Sequence, residues 1–406
     1  MTDIHHPAAD WELRRVIADA AHRREPLEIV GSGSRRKIGK PLAPMAAVST
    51  LAMRGLSLYE PTELVMGARV GTRVADIETE LAHRGQMLAF EPIDLGPVLG
   101  VDSREATIGA LFAGNLSGSR RIAVGAARDH LIGIKAITGT GDEVKSGGRV
   151  MKNVTGVDLV KALSGSWGTL AALTEVTFKV VPMPEETRTL LFAGLTEELA
   201  VEAMTGALGT PFEVSGAVHI DGALATRLHH PPAGLGGRSL TALRIENFSA
   251  FVAYRAKALA DALTQFGEIA MLDDGASRVF WGELRRLSLL AGSTRPLWRI
   301  SVAPTRAPLV VSSIRRYHQA DAFYDWSGGL IWLEVPDAAD AGATDIRRVL
   351  ATHGGHATLI RADDAVRTAV DVFHPMELGI ARLTRGLKEA FDPFSILNPG
   401  RMYQGI

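Results

Sequence analysis

Between Pro92 and Gly168 the chain sets four glycine-bearing motifs in order: Ala106-Thr107-Ile108-Gly109, Gly114-Asn115-Leu116-Ser117-Gly118, Lys152-Asn153-Val154-Thr155-Gly156-Val157-Asp158 and Gly165-Ser166-Trp167-Gly168-Thr169-Leu170. Glycine lets a backbone come close to something flat or anionic, and it reaches positive φ at no steric cost. Any one cluster fits a tight core with glycine turns; four in sequence fit that much less well. A further loop, Gly31-Ser32-Gly33-Ser34, follows a strand-like run upstream. Together they predict one long ligand threaded between two subdomains.

Composition narrows the field. A chain of 406 residues predicts two or three domains with ample core. At 46% apolar residues, disorder is not the default. A formal net charge of -1 argues against a nucleic-acid or acidic-membrane surface as main partner. With no cysteine, the chain forms no disulfide, uses no thiolate and ligates no iron–sulfur cluster through its own thiols. The twelve histidines show no H-E-x-x-H and no paired ligand spacing, so no metal site is expected. Met1 to Asp10 lacks a basic stretch followed by an apolar one and does not read as a signal peptide. No run approaches the roughly eighteen apolar residues of a membrane span. The expectation is a cytoplasmic protein without direct membrane insertion, able to reach a membrane complex through other chains.

Periodicity and punctuation place the elements. Asp10 is expected to cap a helix with Leu13, Val16, Ile17 and Ala20 on one face, and Thr72 a helix with Val74, Ile77 and Leu81 that Gly85 stops. Ala106 to Ala113 reads as a small-residue helix. Leu27–Val30, Leu64–Val70, Ile132–Thr138 and Thr174–Val181 read as strands. Pro182-Met183-Pro184 ends the last of these and marks the best domain boundary. Beyond it glycine thins, and helices such as Ser249–Phe266 alternate with strands such as Leu297–Ala303, Leu330–Val335 and His356–Arg361. Pro375 is expected to open the last helix, followed by a turn-rich tail. The reading is α+β: residues 1–184, a second α+β domain with a helix-covered sheet over 185–374, and a helix and tail over 375–406 that return to the first.

In Gly31-Ser32-Gly33-Ser34-Arg35-Arg36-Lys37, backbone N–H groups can converge on a pyrophosphate while the cations offset its charge. The loop fails as a G-x-G-x-x-G fingerprint because Arg36 occupies the last position. It fails as a P-loop because Pro41 follows Gly39-Lys40. A basic surface turn remains a fair reading of the loop alone. Downstream, Asn115, Ser117 and the backbone of Thr107 to Gly109 could bond phosphate or ribityl oxygens. Gly114 and Gly118 would leave room for a flat ring, and Lys152 or Arg128 could serve phosphate or stiffen the loop.

The ordered set resembles the FAD-binding domain of the vanillyl-alcohol oxidase / p-cresol methylhydroxylase superfamily, with its PCMH-type fold. The matches are Ala106 to Gly109, Asn115 to Gly118, Lys152 to Leu159, Gly165 to Leu170, and the tail Phe391-Asp392-Pro393-Phe394-Ser395-Ile396-Leu397-Asn398-Pro399-Gly400-Arg401. The Gly165 element, Pro296 to Val302 and Gly354 to Leu359 carry a narrower likeness to the smaller FAD-binding subunits of bacterial glycolate oxidases. The resemblance implies non-covalent FAD, held by Gly31, Ser32, Gly33, Ser34, Arg35, Pro92, Thr107, Ile108, Gly109, Gly114, Asn115, Ser117, Gly118, Arg128, Lys152, Gly156, Asp158, Gly165, Gly168, Thr169 and Asn398. It also implies oxidation of a small 2-hydroxy acid, with a second flavin subunit and an iron–sulfur subunit as partners. Ala110 and Ala171 replace glycines of the family pattern, both small changes. The H-x-G-D-G-N-x-H element of D-lactate-dehydrogenase-like relatives is absent.

Oxidising a 2-hydroxy acid needs a cation for the carboxylate and a base for the hydroxyl proton. Arg299 is the candidate clamp and His356 the candidate base; a strand arginine snorkelling or pairing with Glu246, and a satisfied core histidine, are the competing structural readings. The missing histidine-rich element keeps open a non-catalytic FAD-carrying electron-transfer or scaffold subunit. A stand-alone FAD oxidase of sugars or aldonolactones is the weaker third option.

Overall fold

The computed structural model describes residues 4–43, 45–148 and 158–406. Its first part holds a parallel three-stranded sheet, in the order Ile4–His5, Ala46–Ser49, Leu27–Val30, and an antiparallel five-stranded sheet, in the order Leu56–Glu60, Val65–Arg69, Ala171–Lys179, Leu131–Thr138, Glu143–Gly147. Helix Asp10–Arg23 lays Leu13, Ile17 and Ala20 over the smaller sheet. The larger sheet is covered by helices Val74–Ala82 and Ile108–Gly114, with Phe90, Phe112 and Phe178 at the core and ring centroids 5.5–5.6 Å apart along that series. Small residues allow this: a Cβ on Gly109 would lie 2.6 Å from Val70 Cβ, so only glycine lets the helix sit so low on the sheet.

The second part is one eight-stranded sheet, all of whose described pairings are antiparallel. Its order is Ala270–Leu272, Glu186–Ala193, Leu240–Asn247, Val214–Ile220, Asp321–Asp325, Leu330–Glu334, Leu297–Ser301, His356–Arg361. Helices Glu197–Leu208 and Ser249–Ala262 cover Leu190, Phe192, Leu243 and Ile245, and Ala307–Arg315 packs against Ala343–His353. The architecture is α+β. After helix Leu378–Phe391 the tail returns to the three-stranded sheet: Leu27 N donates to Ile396 O at 2.7 Å and Asn398 N to Leu27 O at 3.0 Å.

Three local expectations change. Ala9 takes the cap position and Asp10 is the first helical residue, its carboxylate paired with Arg69. Thr72 bonds Arg69 O and Gly55 instead of capping; Arg73 is the cap of Val74–Ala82. The last helix begins at Leu378 rather than at Pro375. In the first two cases a long-range or turn contact outweighs the local propensity.

Candidate functional site

The glycine loops converge. An open cleft is bordered by Gly31, Gly33, Ser34, Arg35 and Arg36 from the first loop, Gly109, Ala110 and Ala113 from the small-residue helix, and Ser166, Trp167 and Gly168 from the fourth motif. Thr50, Val70, Leu173 and Arg401 complete it. Gly33 and Gly168 stand at φ +85° and +74°, where a Cβ is strained. Gly31 lies so close to the small helix that a Cβ there would be 2.5 Å from Thr107 Oγ1.

Two arginines of the lining are sunk and under-partnered. Arg35 Nη1 and Arg401 Nε are buried without a hydrogen-bond partner, as is Thr107 Oγ1 beneath Gly31. Arg401 Nη2 donates to Arg35 O at 2.9 Å. Burial draws the Arg35 guanidinium down to about 10, with Asp94 pulling weakly the other way. Burial brings Arg401 to about 10 as well, Glu28 opposing. Desolvated cations without a counter-charge are costly, so the cleft suits an anion.

Several expected contacts turn inward instead of lining this cleft. Asn398 Oδ1 accepts Ile29 N at 2.8 Å and its Nδ2 donates to Trp167 O at 2.9 Å, tying strand Leu27–Val30 to the fourth motif. Ser32 Oγ bonds Glu105 O at 2.5 Å. Asn115 Oδ1 accepts Arg128 N at 3.0 Å, and Ser117 Oγ accepts Ala127 N at 2.8 Å. Ile108 lies in the core. Gly114 leaves room for Leu116 and Trp167, and Gly165 sits beside Asn115 at φ +90°. Thr169 Oγ1 bonds Ser166 O at 2.8 Å, and Asp158 caps helix Leu159–Leu163. Pro92 O accepts Arg285 Nε at 2.7 Å in a second cavity on the boundary with the large sheet. Lys152 and Gly156 lie outside the described residues.

The second glycine motif, Gly114 to Gly118, leads to the large sheet. Gly118 O accepts Trp326 Nε1 at 3.0 Å, and Ser119 Oγ donates to Asp325 Oδ2 at 2.9 Å. Arg121 and Arg299 both stack on the Trp326 ring, their guanidinium carbons 4.3 and 5.1 Å from its centroid. Glu246 is engaged by Arg120 and Arg244 rather than by Arg299. His356 opens to solvent at the sheet's edge strand; partial burial, then Arg299, hold it below the usual histidine value, so at neutral pH its ring is uncharged. A ring contact joins the two regions: Trp167, in the cleft, meets Phe373 edge-on at 5.7 Å. Next along the chain, His374 Nδ1 lies 3.4 Å from Ala357 N.

Trp326, Arg121 and Asp325 escaped the sequence reading because no motif surrounds them, whereas Arg36 was already among the cations of the first loop. Arg401 stood inside the tail motif and could have been found there.

A glycolate oxidase subunit GlcE of Escherichia coli (strain K12) is 34% identical over 395 residues, spanning 96% of both chains. The chain belongs to the GlcE family of glycolate oxidase subunits. The family described as "FAD binding domain" matches residues 4–147. A glycolate oxidase subunit GlcD of Bacillus subtilis (strain 168) is 28% identical over 195 residues, 48% of this chain and 39% of that one. Among solved structures, a 4-ethylphenol oxidase from Gulosibacter chungangensis superposes with TM-score 0.73 at 14% identity, covering 99% of this chain and 89% of its own. A p-cresol methylhydroxylase does so with TM-score 0.71 at 14% identity, covering 98% and 88%. These two show the fold, which is PCMH-type. The cleft's chemistry fits the cofactor of the matching family: a dinucleotide would bring two negative phosphates, and Arg35 and Arg401, each with a buried unpartnered nitrogen, stand in the lining. Among the described residues, no helix is long and apolar enough to cross a membrane.

Proposed function

We propose that this chain is the FAD-carrying subunit of a cytoplasmic complex that oxidises glycolate to glyoxylate. The observation that supports it most is the desolvated, under-partnered pair Arg35 and Arg401 in a cleft walled by glycine loops. FAD, when bound, supplies the two-electron acceptor for oxidation at a CH–OH carbon. Gly31, Gly33, Ser34 and Arg35 would hold its phosphates, with Arg401 offsetting charge from the tail. Gly109, Ala110, Ala113, Trp167 and Gly168 would hold its flat parts. Asn398 ties strand Leu27–Val30 to the fourth motif, so it holds two walls of the cleft together. No histidine or cysteine stands among Gly31 to Arg36, which supports non-covalent binding.

The likeness to subunits supports assembly with a second flavin subunit, and the resemblance extends the proposal to an iron–sulfur subunit that drains the electrons. The absent histidine-rich element favours a second reading, in which this chain carries FAD while a sister chain performs the oxidation. One preparation separates them. The purified chain is expected to be yellow and to release FAD on denaturation; a colourless chain that takes up no added FAD would overturn the proposal. Rapid anaerobic bleaching of the isolated chain by glycolate would remove the carrier-only reading.

A further inference from the structure

Arg121 begins the short helix Arg121–Val124, three residues after Gly118, whereas Arg299 is the central residue of strand Leu297–Ser301 in the large sheet. The ring they share is fixed from both sides. Trp326 Nε1 is held by Gly118 O at 3.0 Å, and its backbone N–H by Asp325 Oδ1 at 2.7 Å. Neighbouring arginines at this boundary have acidic partners: Arg120 pairs with Glu246, and Arg244 takes Glu91 with two contacts of 2.8 and 3.0 Å. Among the described residues, the guanidiniums of Arg121 and Arg299 have no hydrogen bond and no ion pair. Asp325 is the acid that acts on Arg299, yet its two oxygens already receive Trp326 N–H and Ser119 Oγ–H. His356 pairs in register with Ser301, two residues from Arg299, so both side chains emerge on one face of the sheet. Asp129 acts on Arg121 only through space, its carboxylate engaged by Ala126 N and Lys161 Nζ. Two cations held on one ring with no directly paired acid repel each other, and a bound anion would offset that repulsion.

We infer that Arg121, Arg299 and Trp326 form a binding site for the carboxylate of a small α-oxygenated acid, with His356 beside it to accept a hydrogen bond from the α-hydroxyl. The site takes one cation from each part of the molecule, so its ligand bridges the glycine-loop region and the large sheet. The inference deepens the proposed function and rests on it for the identity of the acid.

Oxalate, a two-carbon carboxylate with no C–H bond to oxidise, is the probe. Calorimetric titration of the purified chain should show saturable oxalate binding, with glycolate competing and inorganic phosphate competing poorly. Arg121→Gln and Arg299→Gln should each weaken oxalate about thirtyfold or more, while the FAD absorbance of both variants stays at the wild-type level. Wild-type chain that takes up no oxalate, or variants that bind it as well as wild type, would overturn the inference. Phosphate outcompeting oxalate would overturn the assignment to a carboxylate. A colourless chain that still binds oxalate through these arginines would sink the cofactor reading and keep the site. Should the variants fold poorly, phenylglyoxal modification of the wild-type chain decides the matter by mass spectrometry. Oxalate should protect Arg121 and Arg299 and leave Arg104 reactive; no protection at the first two would refute the site.

Discussion

Lys388 and Asp392 form a buried ion pair of 2.7 Å one helical turn apart, and between them they fasten the tail to the cofactor cleft. Lys388 Nζ also donates to Thr169 O at 2.6 Å and to Leu397 O at 3.1 Å. Asp392 accepts Ile396 N at 3.1 Å and Leu397 N at 2.8 Å. The pair thus joins the last helix, the fourth glycine motif and the segment that positions Asn398.

Removing one member leaves the other charged and buried. Lys388→Met should destabilise the chain by about 3–5 kcal/mol and weaken FAD retention with it. Denaturant unfolding and FAD release on dilution measure the two effects; unchanged values in both would show that the pair does not hold the tail.

Arg244 and Glu91 link the glycine-loop region to the large sheet. Burial alone would raise the Glu91 carboxyl, but Arg244, helped by Arg120 and Arg285, brings it down to about 2. Its folded value is therefore below its unfolded one, so the stability it contributes is present above the ordinary carboxylate range and is lost as pH falls toward 2. Arg244→Met should cost about 3–5 kcal/mol at pH 7. The gap to wild type should narrow in acid, as read from unfolding free energies at pH 7 and pH 3; a gap that widens would contradict the pairing.

Asp325 has the opposite sign. Burial, opposed by hydrogen bonds from Trp326 and Ser119, pushes its carboxyl up to about 7. The folded chain keeps a proton that the unfolded chain releases above about 4. Its contribution to stability should be full below about pH 4 and disappear as pH rises through about 7. Melting temperatures of wild type and Asp325→Asn at pH 5 and pH 8 test this: wild type should lose more between the two. Equal losses would mean that Asp325 is ionised throughout.

Two glycines should respond in opposite ways. Gly168 sits at φ +74°, with Asn398 Nδ2 2.8 Å from where a Cβ would be. Gly168→Ala should cost roughly 1 kcal/mol or more and lower FAD occupancy. Gly206 is exposed in helix Glu197–Leu208 with open space around it. Gly206→Ala should add about 0.4–1 kcal/mol and leave occupancy alone. Matching effects at both sites, read by melting temperature and bound-flavin absorbance, would contradict the geometry.

The local backbone of this protein is written in its sequence. Positive-φ glycines such as Gly33 and Gly168 declare themselves because few other residues allow their conformation, and the strand His356–Arg361 and the tail Phe391 to Arg401 because their residue patterns are local. What those elements hold is decided by packing. Asn398 looked like a cofactor contact, yet its amide clamps Ile29 and Trp167, because the tail folds back onto a strand formed hundreds of residues earlier. Arg299 drew notice alone; Arg121 did not, since only the meeting of a glycine loop with a distant sheet puts both guanidiniums on Trp326 and leaves them without a directly paired acid among the described residues. Conformational demand is local and legible one residue at a time, whereas burial and charge compensation depend on neighbours that the chain acquires only when it folds.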